Sequence, residues 1–337
     1  HGTSVQWPDD WWGRFESLQT GILGLRFAPF VSLRLGGAHG LLRDFPDIRV
    51  SIGAHVDVFR LETQRALDFI DQTGNVHILL WGAGVGGDAS IYWQATPELA
   101  FGVTYKSRTW MRLSGDADFT VPDPFLGRAP DQHAQSELVV PDQLRIGAAW
   151  QADFYAIYAD VGVSFWSVRQ RLQIDFERDV TSDIDTPQGW RDTASFRLGG
   201  EISPIDELAV RAGFFYDMEV SPAENLAPTS PDMARVGVSL GLGVNVTREL
   251  GFDAYYAYVG FVGREGTSQD APLARYWGDL HLVGLTLRLV VDDGGDTPMV
   301  QEAEPTIEAE DVDAEGAPEE GETIDQPLEA EPADAPP

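Results

Sequence analysis

Lys106, Arg108, Trp110 and Arg112 are the residues with the clearest chemical content: three cations and an indole, each two positions from the next. In an extended strand, alternate residues share one face and lie about 7 Å apart. The four would line a wall with positive charge and an aromatic ring. Such a wall can hold a carboxylate head group by charge-assisted hydrogen bonds while an apolar tail packs on the ring. The same cations could instead enter a salt-bridge lattice with Asp57, Asp88, Asp160 and Asp217. Trp166, Arg211, Phe215 and Arg235 are further candidates for this wall.

His55 and Asp57 stand two apart and could form a general-base pair. No nucleophile motif accompanies them, and G-x-S-x-G is absent, so catalysis is not expected. Cysteine is absent and the 6 histidines show no H-x-x-x-H spacing, so neither a metal site nor a cofactor is expected. Gly82, Gly84, Gly86 and Gly87 imitate a phosphate loop, but they sit inside a strand pattern with no helix following. Small residues that leave bore space are the better reading. Acidic residues near the C-terminus could bind Ca²⁺ weakly, but a solvated linker is their expected role.

The 337 residues carry a net charge of −31, which argues against a nucleic-acid partner. That charge is uneven. Between Asp292 and Pro337 there are 17 acidic residues and no basic ones, so residues 1–291 carry −14. No run of about 18 apolar residues marks a transmembrane helix. No signal peptide is visible and the chain opens on His1-Gly2, so an N-terminal portion is expected to be missing.

The positioning elements read as β. Val236, Val238, Leu240, Leu242, Val244 and Val246 fall on one face, and Arg235, Ser239 and Asn245 on the other. Residues 48–58 and 191–202 alternate in the same way. Eleven strands are expected, at 18–35, 47–62, 77–94, 98–114, 137–151, 154–176, 190–203, 207–219, 234–247, 250–262 and 277–291. Tight turns such as Ala152-Asp153 alternate with long polar links near 63–76, 115–136, 177–189, 220–233 and 263–276. Short turns on one side and long loops on the other are the pattern of an outer-membrane barrel. The fold class is therefore all-β, a transmembrane antiparallel up-and-down β-barrel over residues 1–291. Apolar faces should meet lipid and lipopolysaccharide, polar faces the lumen. Trp81, Trp93, Trp150, Tyr155, Tyr216 and Trp277 would suit interfacial girdles. Residues 292–337, rich in Glu, Pro, Ala and Asp, are expected to be a disordered tail. By strand parity the tail is periplasmic and could meet a partner there.

Several stretches are similar to one family. Trp7-Pro8-Asp9-Asp10-Trp11-Trp12-Gly13-Arg14 resembles the W-P-D-D-W-x-G-R segment of FadL/TodX-type outer-membrane transporters of hydrophobic compounds. Leu99 to Arg108 resembles that family's "lafGvtYrS" strand, with Lys106 on the basic position of Y-[RK]-S. Leu138-Val139-Val140-Pro141-Asp142 is similar to its L-x-L-P-[DE] strand start, and Phe165-Trp166-Ser167 with Leu172 to its "sWS…l" strand. Asp217 to Arg235, with Pro222, Pro231 and Asp232, resembles its "fDdSPv…PDxxR" loop.

The resemblance implies a fourteen-stranded barrel with an N-terminal hatch. The strands here would be its fourth to fourteenth, and Thr3–Trp7 the stub of its third. It further implies a monomer for passive uptake of small molecules such as long-chain fatty acids or aromatic hydrocarbons, and no enzyme. The alternative is a general porin or structural barrel anchoring a periplasmic tail. With the first strands absent, an unpaired seam is expected between Leu23–Leu35 and Leu280–Leu289, because bare backbone groups in lipid lose their partners.

Overall fold

The alternation is realised as strand almost throughout. The computed structural model describes residues 2–37, 40–41, 46–69, 71–247, 249–267 and 274–290. Seventeen strand segments form one sheet: β1 Gly2–Gln6, β2 Gln19–Phe27, β3 Phe30–Arg34, β4 Asp47–Asp68, β5 Thr73–Gln94, β6 Leu99–Lys106, β7 Thr109–Thr120, β8 Gln132–Val140, β9 Gln143–Ala152, β10 Tyr155–Ser164, β11 Arg171–Phe176, β12 Ile184–Pro187, β13 Thr193–Ile205, β14 Leu208–Asp217, β15 Arg235–Asn245, β16 Leu250–Glu265 and β17 Arg275–Leu289. No helix is long and apolar enough to cross a membrane, so crossing falls to the strands.

The eleven expected strands are present in meander order. Four of them are broken in two: β2 with β3, β6 with β7, β8 with β9, and β10 with β11. The link expected at 63–76 is largely strand instead, and so are both ends of the one at 115–136. β4 and β5 run to a tight hairpin at Asp68↔Thr73, and β7 with β8 continues to Ala117↔Gln132. Their polar residues looked like loop because their outer faces stand above the membrane and meet water. The acidic segment 292–337 lies outside the described residues.

The outer face of β5 shows where lipid begins and ends. Trp93, Ile91, Val85 and Trp81 share it, and all are substantially exposed. The two tryptophans are twelve residues apart, about 40 Å along the strand and roughly 28 Å along the normal at a 45° tilt, close to the usual apolar band of about 25 Å. On neighbouring β4 the outer face is apolar through Ile52 and Val56, then turns polar. Arg60 lies 5.8 Å from the Trp81 ring and pairs with Glu62 at 2.8 Å, and Glu62 also takes His77 at 2.9 Å.

Between the two tryptophans, where the Ser107 N–H donates to the Gly87 carbonyl at 2.8 Å, the sheet is creased. Lys106 faces inward with its register partner Asp88, and three residues later Thr109 faces inward again. The alternation has slipped by one residue at Ser107-Arg108. The same slip falls on the adjoining strand at Pro141-Asp142, so the register runs on unbroken from Lys106↔Gln143 to Thr109↔Val140. Such irregularities re-aim side chains. Below the crease, strands are apolar outward and polar inward. Above it, Met111 and Leu113 point in, while Arg112 and Glu137 point out to water.

The inner face above the crease is an apolar cluster. Leu61, Val76, Ile78, Leu80, Met111, Leu113, Ala117, Ala134, Leu138 and Ile174 pack together from five strands, with Leu80 and Leu113 fully buried. A second cluster joins the two ends of the sheet. Trp7, Trp11, Leu18, Ala66, Leu226 and Tyr276 pack together, and the Trp7 indole N–H donates to the Pro228 carbonyl at 3.1 Å. Register pairs run from β1 on β2 to β16 on β17, and none joins β17 to β1 or β2 among the described residues. There the connection is through side chains.

Candidate luminal site

Below the apolar cluster the inner wall carries a buried polar chain. Arg26 of β2 grips Asp57 of β4 with two bonds, Nε to Oδ1 at 2.6 Å and Nη2 to Oδ2 at 2.8 Å. Thr109 of β7 donates its hydroxyl to Asp57 Oδ2 at 2.8 Å. His55 of β4 places Nε2 at 2.9 Å from Thr109 Oγ1 and Nδ1 at 2.8 Å from Asp88 Oδ2 of β5. His55, Asp57 and Thr109 are each at most 1% exposed.

The donors can be counted. Thr109 has one proton and gives it to Asp57, so His55 Nε2 must donate to Thr109. A second proton then lies between Nδ1 and Asp88. The one hydroxyl in this hydrogen-bonded set, that of Thr109, is already donated to a carboxylate.

Lys106, the only lysine in the sequence, faces the same lumen. It has no carboxylate within ion-pairing distance among the described residues, although Asp88 is its register partner. The four acids named from sequence as lattice partners are all taken: Asp57 by Arg26, Asp88 by His55, Asp160 by Arg145 at 3.7 Å and Asp217 by Arg235 at 3.2 Å.

The remaining candidates divide. Arg211 faces in and is clamped between Glu201 at 2.5 Å and Asp253 at 2.6 Å, in a recess of about 190 Å³ that also holds Arg288 and Asn245. Phe215 faces in and lies across Gly237, where an added Cβ would come within 1.9 Å of its ring. Arg235 faces in as expected.

Four expectations are corrected. Arg112 points outward and meets Glu137 at 3.4 Å. Trp110 points outward, opposite Met111, and is 58% exposed. Arg108 leaves the lumen face as well. Its guanidinium meets Asp142 at 2.6 Å, beside the outward Tyr105 hydroxyl, which donates to the same carboxylate at 2.6 Å. The slip at Ser107-Arg108 is the cause of both. Trp166 is not on a strand but in a short 3₁₀ turn, edge-on to Trp190 at 5.0 Å, with Arg169 over the Trp190 ring at 4.4 Å. Burial pushes the Arg169 guanidinium down to about 10, so it stays charged at neutral pH. On the adjoining hairpin, hydrogen bonding from Arg171 lowers the Asp185 carboxyl.

Sequence reasoning missed Arg26 and Thr109. Arg26 alternates among apolar residues and was legible as an inward cation. Thr109 was hidden by the slip two residues before it.

An antiparallel barrel wall with a lipid-facing band, an apolar upper interior and a buried polar chain defines a β-barrel membrane protein. The family of outer membrane protein transport proteins (OMPP1/FadL/TodX) matches residues 1–281, and the chain belongs to that family. Among curated proteins it is 23% identical over 188 residues to the long-chain fatty acid transport protein of Escherichia coli O6:H1, covering 52% of this chain and 42% of that protein. The chain spans half or less of the length of the curated relatives it matches. A Pseudomonas aeruginosa FadL homologue superposes with a TM-score of 0.71 at 18% identity, over 85% of this chain and 71% of the other. The toluene transporter TodX of P. putida superposes with a TM-score of 0.63 at 14% identity, over 86% of this chain and 78% of the other.

Proposed function

We propose that this protein provides passive, diffusion-driven uptake of hydrophobic or amphipathic small molecules across the outer membrane, such as long-chain fatty acids or aromatic hydrocarbons. It does so without covalent chemistry, as a monomer in outer-membrane lipid and lipopolysaccharide, with segment 292–337 on the periplasmic side. The observation that carries this reading is the apolar interior above the crease. The interior of a general porin is polar and water-filled. Here Leu80, Leu113, Val76 and Ile78 fill the way in. An apolar molecule replaces their contacts with equivalent ones, whereas a hydrated solute must shed water without new partners. Below them, Lys106 is placed to hold a carboxylate, and Phe215 offers a ring to an apolar tail. Family membership supports the same reading.

The test is uptake into proteoliposomes carrying the full-length protein. Labelled dodecanoate should enter several-fold faster than into protein-free vesicles, while glucose should not. Equal acceleration of both solutes would favour a general porin, and acceleration of neither would remove transport altogether.

A further inference from the structure

We propose that His55 is a specificity-determining residue that keeps Lys106 available for an acidic ligand by occupying Asp88. The inference rests on the reading of Lys106 as a head-group anchor.

The register sets Asp88 directly across from Lys106, on the same inner face. An acid and a lysine at directly opposed positions normally pair. Asp88 turns instead to His55 Nδ1 at 2.8 Å, and its side chain remains 20% exposed to the lumen. The donor count explains why it stays there. His55 cannot point Nε2 elsewhere, because Thr109 takes that proton and passes its own to Asp57. Asp57 is fixed in turn by the two-pronged grip of Arg26. Among the inward charges on neighbouring strands, Arg145 and Asp160 face each other, and Arg197 is the register partner of Asp160. The acids opposite and beside Lys106 are thus held by other groups, and its ammonium is left open to an incoming carboxylate. A chain built only to fill the lumen would have closed the Asp88–Lys106 pair. This arrangement selects for amphiphiles with an acidic head over neutral molecules of the same shape.

The experiment measures the binding of dodecanoate and of its neutral methyl ester to the full chain in detergent at pH 8, and reads the ratio of the two dissociation constants. Wild type should favour the acid by about tenfold or more, and Lys106→Gln should bring the ratio to near one. His55→Gln should lower the ratio at least threefold, because Asp88 is released to pair with Lys106. His55→Gln combined with Asp88→Asn should restore it to within twofold of wild type. Asp88→Asn alone should shift the ratio by less than twofold, since Asp88 is already held by His55 and turned from Lys106. An unchanged ratio in His55→Gln, failure of the double variant to recover, or a rise of more than threefold in Asp88→Asn would overturn the proposal. If His55→Gln loses its β-sheet circular dichroism, Asp88→Asn alone decides by the same limits. A wild-type ratio near one, or no effect of Lys106→Gln, would instead remove the head-group reading, and this inference with it.

Discussion

The His55 imidazole and the Thr109 hydroxyl lie 2.9 Å apart although a whole strand, β5, separates the strands that carry them. Side chains two strands apart meet only where the strand between gives up its own. A Cβ on Gly86 would stand 2.2 Å from His55 Nε2, and one on Gly84 2.5 Å from Thr109 Cγ2. These glycines make the saddle over which the polar chain closes. Gly87, next in the chain, points the other way, and its Cβ would meet nothing closer than the Gly53 carbonyl at 3.7 Å. Gly86→Ala is therefore expected to destabilise the refolded protein by about 1–3 kcal/mol through overpacking of a full site. Gly87→Ala should be neutral, or stabilising by about 0.5 kcal/mol, because alanine orders more easily in a strand. Urea midpoints in lipid vesicles, followed by tryptophan fluorescence, check the pair.

Trp81, rather than the crease below it, marks the upper edge of the outer apolar band on β5. Val85, 73% exposed on the outer face between Trp81 and Trp93, lies within the lipid band. Val85→Arg should cost about 2–4 kcal/mol of membrane-folded stability. Gln135 is outward as well, but it lies opposite Ser114, which is itself the register partner of Trp81 at the edge of that band. Gln135→Arg should stay within about 0.5 kcal/mol, as surface changes in water do. Similar costs at the two positions would misplace the membrane boundary.

Much of this was legible in the sequence. The outward set Val238, Leu240, Leu242 and Val244, with Arg235 inward, follows from period-2 alternation alone, because one-sided burial fixes strand register. What failed did so at the crease. Alternation extrapolated from Lys106 places Arg108 and Trp110 in the lumen, and a one-residue slip sends both out. No local residue type announces that slip on β6. On the partner strand Pro141 hints at it, since proline has no N–H to give the ladder. The Asp142 carboxylate takes up the Arg108 backbone N–H instead, at 3.1 Å. Contacts across β5 were illegible for another reason: they depend on close approach over glycines, which strand patterning does not encode.

The upper interior should behave as a packed core. Leu113 is fully buried among Leu80, Leu138 and Ile174. Leu113→Ala removes three carbons from that site and is expected to cost about 2–5 kcal/mol, the spread depending on how far the neighbours collapse. The same substitution should speed dodecanoate uptake if side-chain packing limits entry, so stability and flux are expected to move in opposite directions. Reduced flux together with reduced stability would show that this cluster shapes the binding path more than it obstructs it.

The seam offers the last test, because its two ends are joined by side chains rather than by a ladder. Trp7 and Tyr276 face each other edge-on with ring centroids 6.3 Å apart, and both are buried. Their polar atoms fare differently. The Trp7 N–H is given to Pro228, whereas the Tyr276 hydroxyl is buried without a partner among the described residues. Trp7→Phe leaves the Pro228 carbonyl unmatched and thins the stack on Trp11, which lies 4.7 Å away. It should cost about 1–3 kcal/mol. Tyr276→Phe removes a hydroxyl that makes no bond among the described residues and keeps the ring, so it should be neutral or stabilising by up to roughly 1–3 kcal/mol. Denaturation midpoints of the two variants should therefore shift in opposite directions, or the second not at all. A loss in Tyr276→Phe as large as that in Trp7→Phe would mean that the hydroxyl has a partner, a buried water or a further strand of the barrel, which holds the seam together.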